Sequence, residues 1–120
     1  MTRILQTAIL AIILSGCATP KMYEWGGYDE LMYQQYKDPS MALGVREGLE
    51  SHILYLEEGK QRVPPGVYAE VGTFYLQAGD TEKALQMYRR ERAYWPESKS
   101  LMDAMIANLE RSTRDKKDAK

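Results

Sequence analysis

The sequence predicts an all-α protein of about five helices. Three observations lead to that class. Apolar residues recur at three- and four-residue steps from Leu31 to Leu109, which is the period of a helix with one buried face. Capping residues, glycines and prolines fall at the breaks between these runs, where helices start and stop. No segment shows the period-two alternation of a half-buried strand.

The first run carries Leu31, Met32 and Tyr36 from Asp29 onward, and Asp38-Pro39 stops it. Pro39 suits the first position of a second helix, with Asp38 as its N-cap. Met41, Val45, Leu49, His52, Ile53 and Leu56 then share one face, and Gly59 is expected as the C′ residue. Residues 60–64 form a polar connection that stiffens at Pro64. A third helix is expected from Pro65, with Val67, Tyr68, Val71, Phe74, Tyr75 and Ala78 as its stripe. Gly79 caps it and Asp80 can N-cap a fourth helix, which directs Ala84, Leu85, Tyr88 and Trp95 inward and ends before Pro96. The fifth helix, capped at or near Ser98, places Leu101, Met102, Met105, Ile106 and Leu109 on one face. Residues 111–120 have no apolar face and read as a charged, disordered tail with five Lys/Arg and two Asp.

The N-terminus decides the organisation of the chain. Arg3 supplies a positive flank, residues 4–14 form a short apolar run, and small residues lead to Cys17, the only cysteine. A membrane-spanning helix needs about 20 apolar residues, and this run is shorter and contains Gln6 and Thr7. An ordinary secretory signal would leave Cys17 as an unpaired thiol in an oxidising compartment. Leu14-Ser15-Gly16-Cys17 resembles the lipobox of bacterial lipoproteins. The resemblance implies a signal peptide over residues 1–16, acylation of Cys17, and anchoring with palmitate-class chains. Ala18, not Asp, follows the cysteine, which by the sorting pattern of such lipoproteins implies the periplasmic face of the outer membrane. Residues 17–28 then form a lipidated tether ending in the aromatic cluster Tyr23, Trp25 and Tyr28, and residues 29–110 form the helical domain.

Cleavage before Cys17 leaves 104 residues, enough for one small domain with a modest core. The full chain has a formal net charge of −1, which leaves no electrostatic footprint for nucleic acid. With a single cysteine no internal disulfide can form, so packing alone must hold the fold. Aromatics at 10% and charged residues at 28% place the mature part among folded chains.

The third and fourth helices carry a further pattern: Tyr68-x₂-Val71-Gly72-x₂-Tyr75, then Gly79, Ala84-x₃-Tyr88 and Pro96. It resembles the 34-residue tetratricopeptide repeat and covers residues 65–98. The resemblance implies antiparallel helical hairpins closed by a C-terminal capping helix. Gly72 and Ala84 would admit a close helix approach, Tyr75 and Tyr88 would fill the space between hairpins, Tyr68 would be the first-position aromatic, and Pro96 would end the second helix. Tyr68 replaces the usual Trp, and Glu91 stands where a small alanine is usual, which predicts looser packing there. One unit cannot bury its own faces, so the first two helices read as a degenerate partner hairpin. Gly44 and Gly48 predict a close contact for the second helix.

Catalytic readings find little to build on. His52 lies on the apolar face of the second helix and reads as a core or boundary histidine, with no nucleophile beside it. Cys17 is consumed by acylation, so no thiol nucleophile or zinc site follows. Glu50, Glu57 and Glu58 read as a solvated face, and Gly26-Gly27 and Gly66 lack the lysine and spacing of a phosphate loop. The seven methionines read as core filling. The expectation is therefore a protein without catalytic residues, metal or cofactor.

Helical repeats offer concave surfaces to protein segments, so a protein-binding adaptor or assembly factor of an envelope or secretion complex is the expected function. Tyr23, Trp25 and Tyr28 are the candidate partner-binding residues. The alternative expectation is that these aromatics cover the domain's own core. Over its whole length the chain also resembles a family of small Gram-negative lipoproteins, through the lipobox, Tyr23-x-Trp25-Gly26-x-Tyr28, and Leu31, Tyr33 and Tyr36. Members tend to be encoded beside a curli-secretion-channel-like lipoprotein, which that resemblance implies as a protein partner. A second function class is a structural lipoprotein bridging the outer membrane to peptidoglycan through the basic tail.

Overall fold

A computed structural model describes residues 21–119. Among these residues there are five α-helices and no strand: α1 (Tyr28–Lys37), α2 (Ala42–Glu58), α3 (Val67–Gln77), α4 (Thr81–Tyr94) and α5 (Lys99–Asp118). Short 3₁₀ turns, Pro39–Met41 and Pro96–Ser98, lead into α2 and α5. The all-α class is as the periodicity predicts. The signal run and Cys17 lie outside the described residues.

Local chemistry sets the boundaries. The Asp38 carboxylate accepts from the Ser40 N–H at 3.0 Å and from its hydroxyl at 2.6 Å, so it caps the 3₁₀ turn that Pro39 opens. α3 begins at Val67, two residues after Pro65. Gly66 precedes it with φ +91°, a left-handed conformation that cannot continue a helix. Gly79, at φ +84°, closes α3, and the Asp80 carboxylate then accepts from the Lys83 N–H at 3.0 Å to cap α4.

The end of α2 differs from expectation. Gly59 has an ordinary φ of −74°, and Lys60 takes the left-handed position at φ +53°. Lys60 N–H bonds Glu57 O at 3.0 Å and Gln61 N–H bonds Leu56 O at 2.8 Å, which is the Schellman pattern with Lys60 at C′. A side chain there strains against the preceding turn. Lys60→Gly should therefore stabilise the fold by about 1 kcal/mol, read by urea denaturation. Destabilisation would show that the lysine stem contributes more than the strain costs.

The core runs through α2, α3 and α4 and is closed by α5. Val45, Leu49, Ile53 and Leu56 of α2 meet Val67, Tyr68, Val71, Phe74 and Tyr75 of α3, with Ala84 and Tyr88 of α4 and Met102 and Ile106 of α5. Residue 66 meets 91, and 72 meets 88, so α3 and α4 run antiparallel. Met41, Tyr36, Ala78 and Leu101 lie exposed although the helical pattern placed them inward. Met41 sits at the helix junction, Ala78 at the α3 C-cap, and Tyr36 on the last turn of α1. That helix reaches the core through Leu31 and Met32.

Two further outcomes concern packing. Glu91, expected to loosen the hairpin, is completely buried and ties it together. Its Oε1 accepts from Gly66 N–H at 2.8 Å and from the Ser98 hydroxyl at 2.9 Å, joining the start of α3 to the connection before α5. The charged segment expected as a disordered tail continues α5 through Asp118. No Gly or Pro interrupts it, Thr113 Oγ1 bonds Leu109 O at 2.8 Å, and Lys116 and Lys117 complement the carbonyl end of the helix. Its side chains stay largely solvated, as expected.

Candidate functional site

The N-terminal aromatics form a strap across one end of the domain. Gly26 and Gly27 take left-handed φ values of +52° and +79°, and Tyr28 N–H bonds Trp25 O at 3.0 Å, so the strap turns sharply into α1. A side chain at Gly26 would overlap the His52 imidazole. His52 Nε2 donates to the Glu24 carbonyl at 2.8 Å, which pins the strap to α2. His52 is thus a satisfied boundary residue with a specific structural task.

Tyr23 packs edge-on against Trp95, with ring centroids 5.5 Å apart, and Trp25 leans on Tyr28 at the same distance. Trp95 is buried, and the Arg62 guanidinium stacks 4.2 Å from its ring while donating to Tyr94 O at 3.0 Å. Of the three candidate partner-binding residues, Tyr23 and Tyr28 are partly buried against the domain, and Trp25 is 40% exposed. The strap itself lines a shallow cavity of about 640 Å³, and a neighbouring one of about 500 Å³ extends to Gln61 and Arg62.

The repeat-like residues gather elsewhere. Gly72 receives the Tyr88 ring, Ala84 and Tyr88 are completely buried, and Pro96 opens the turn after α4. Tyr68 Oη donates to Glu57 at 2.5 Å with the Arg90 guanidinium 4.6 Å over its ring. Tyr75 Oη donates to Glu50, between the Arg46 and Lys83 cations. These residues hold helices together and present no reactive group to solvent. Among the described residues no group of three His, Cys, Asp or Glu is placed to hold a metal ion.

Burial, then the hydrogen bond to Glu57, pushes the Tyr68 phenol well above its ordinary range. The bond to Glu50 raises Tyr75, while burial and then the Glu70 charge raise Tyr28. Burial also raises Glu70 itself. Because folding holds these phenols in their neutral form, their stabilisation is complete below pH about 10 and is lost as pH rises through the folded values. A phenolate absorbance titration of the nine tyrosines should show a late group, and Tyr68→Phe should remove one step from it. Ionisation of all tyrosines together while the chain is still helical would contradict this.

A second concavity lies on another part of the surface. The end of α1, the 3₁₀ turn and α2 meet α3 around a hollow of about 550 Å³. Leu43, Phe74 and Ala42 supply apolar walls, with Gln35, Arg46 and Gln77 as polar margins. Sequence reasoning did not find it, because its lining comes from four elements and no spacing marks them. Nor did it single out Arg62, which lies in a polar connection and stacks on a tryptophan 33 positions away.

The fold and the strap define a small all-α domain whose one end is closed by its own N-terminal aromatics. Residues 22–105 match the family model described as a domain of unknown function (DUF4810), and the chain belongs to that family. The matched stretch takes in the strap, α1 to α4 and the first turns of α5. No curated protein and no solved structure matches the chain. No helix among the described residues is long and apolar enough to cross a membrane.

Proposed function

We infer that the chain is a non-catalytic adaptor, lipid-anchored at the periplasmic face of the outer membrane, that holds a segment of a partner protein on its helical surface. The observation that carries the binding part is the hollow between α1, α2 and α3, where the exposed Leu43 and the buried Phe74 lie among polar margins. Such a mixture suits a protein segment with one apolar side chain flanked by backbone polar groups. The close antiparallel approach of α3 and α4 at Gly72 supports a tetratricopeptide-like hairpin, whose relatives use concave surfaces in this way. The resemblance to the Gram-negative lipoprotein family favours a curli-secretion-channel-like lipoprotein as the partner.

A photo-cross-linking residue at position 43 tests the binding part in intact cells. A discrete adduct absent from the same probe at position 114 is expected. Equal labelling at both positions would refute the hollow as a docking site. The anchor is tested separately by labelling with a palmitate analogue. The wild-type chain should take up label and Cys17→Ser should take up none, because a hydroxyl does not form the thioether. Helical content should be unchanged, since residue 17 precedes all five helices in the chain. An unlabelled wild-type chain with a free thiol would remove the anchor.

A bridge to peptidoglycan is favoured by one observation: α5 continues past Leu109 as a solvated helix bearing Arg111, Arg114, Lys116 and Lys117. Sedimentation with purified peptidoglycan that is lost on truncation after residue 110 would support this reading over the adaptor.

A further inference from the structure

Where the described chain begins, the strap turns an apolar surface outward. Met22 is 81% exposed, Trp25 40% and Tyr55 55%. The aromatic members are connected: Tyr55 stacks on His52 with centroids 6.1 Å apart, and His52 holds the Glu24 carbonyl next to Trp25. The hydrogen bond, the Gly26 turn and the Tyr23–Trp95 contact fix the strap, so the surface is formed before anything binds it.

Cys17 lies four residues before Lys21. A fully extended chain advances at most about 3.6 Å per residue, so an acylated Cys17 holds Lys21 within roughly 14 Å of the lipid. That reach leaves the strap end of the domain facing the bilayer. Tryptophan and tyrosine carry an apolar ring with a polar tip and favour the headgroup level, where both ends are satisfied. The charged residues lining the two strap cavities are balanced, Lys21 and Arg62 against Glu24 and Asp29, which favours a zwitterionic over an anionic lipid surface. We propose that Met22, Trp25 and Tyr55 form an interfacial docking surface that seats the domain on a zwitterionic bilayer beside its own anchor. The proposal rests on the lipid-anchor reading. It assigns the exposed aromatic to lipid and leaves the hollow at Leu43 turned to a partner.

The test uses the acylated chain in phosphatidylcholine vesicles, with and without bromine on the lipid tails. The chain has two tryptophans. Trp95→Phe leaves Trp25 as the reporter, and Trp25→Phe leaves the buried Trp95 as an internal control. Trp25 emission should be lost in brominated vesicles, more with bromine near the headgroup than deep in the tail. Emission from Trp95 should not change. High salt should leave the quenching intact, because screening acts on charge and not on ring burial. Met22→Asp combined with Tyr55→Asp should still float with the vesicles and should lose the quenching. A chain that floats with Trp25 unquenched overturns the docking surface and leaves the anchor standing. A chain that neither floats nor takes up palmitate overturns the anchor and the docking surface together. Unquenched Trp25 that cross-links in cells to one protein would assign the surface to a protein partner.

Discussion

Glu91→Ala should lower the unfolding free energy by about 3 kcal/mol, because it strips the acceptor from two donors and opens a cavity. Glu91 is completely buried, and its Oε1 accepts from Gly66 N–H and Ser98 Oγ at 2.8 and 2.9 Å. Each donor left without a partner costs about 1–3 kcal/mol when water cannot replace the acceptor, and both are only part-buried, which holds the total near the lower end. Glu91→Gln should cost about half as much. Its oxygen can serve Gly66 and Ser98, but its NH₂ then sits in the place of Oε2. Among the described residues Oε2 has no hydrogen-bond partner, and the Trp95 indole N–H has none either. Ser98→Ala removes one part-buried hydrogen bond to the Glu91 carboxyl group and should cost about 1 kcal/mol. Guanidinium denaturation of the three variants should give the order Ala, Gln, Ser98→Ala. A Glu91→Ala variant within about 1 kcal/mol of wild type would mean that water reaches both donors.

This residue also shows where sequence reasoning stopped. The helices themselves were legible, because amphipathic period and punctuation act locally: Asp38, Gly79 and Asp80 do what their types favour at those positions. The role of Glu91 depends on two donors, 25 positions before it and 7 after it, and a glutamate in a helical pattern carries no mark of either. Lys60 at C′ is a similar case. Gly59 offered the obvious cap, yet the chain turns one residue later, where Gln61 reaches the Leu56 carbonyl. The strap was half legible. Its aromatics and glycines stood out, but their partners His52 and Trp95 belong to other elements. The hollow at Leu43 had no sequence signal, since it is a shape made by three helices and a turn.

The hairpin contact that supports the repeat-like reading makes a second strong prediction. A Cβ at Gly72 would lie 2.8 Å from Tyr88 Cε1, 2.9 Å from Cδ1 and 3.1 Å from Met87 Cβ. The ring cannot retreat: Tyr88 is completely buried and its hydroxyl lies 3.2 Å from Thr73 Oγ1. Gly72→Val should therefore cost about 3 kcal/mol, the upper range for overpacking a filled core. Gly72→Ala should cost about 1 kcal/mol, since roughly 1 kcal/mol of helix propensity offsets part of the clash. Gly48 is a useful contrast. Its Cβ would meet Leu31 Cδ2 at 3.0 Å, the movable end of a partly exposed side chain, so Gly48→Ala should be near neutral. A Cβ at Gly44 would meet no atom of another part of the described chain within 4 Å, so alanine there should gain up to about 1 kcal/mol of propensity. Thermal denaturation of the series thus separates a contact that sets the α3–α4 distance from one that only fills a margin. If Gly72→Val melts with Gly44→Ala, the two helices are free to move apart and the hairpin is not fixed at Tyr88.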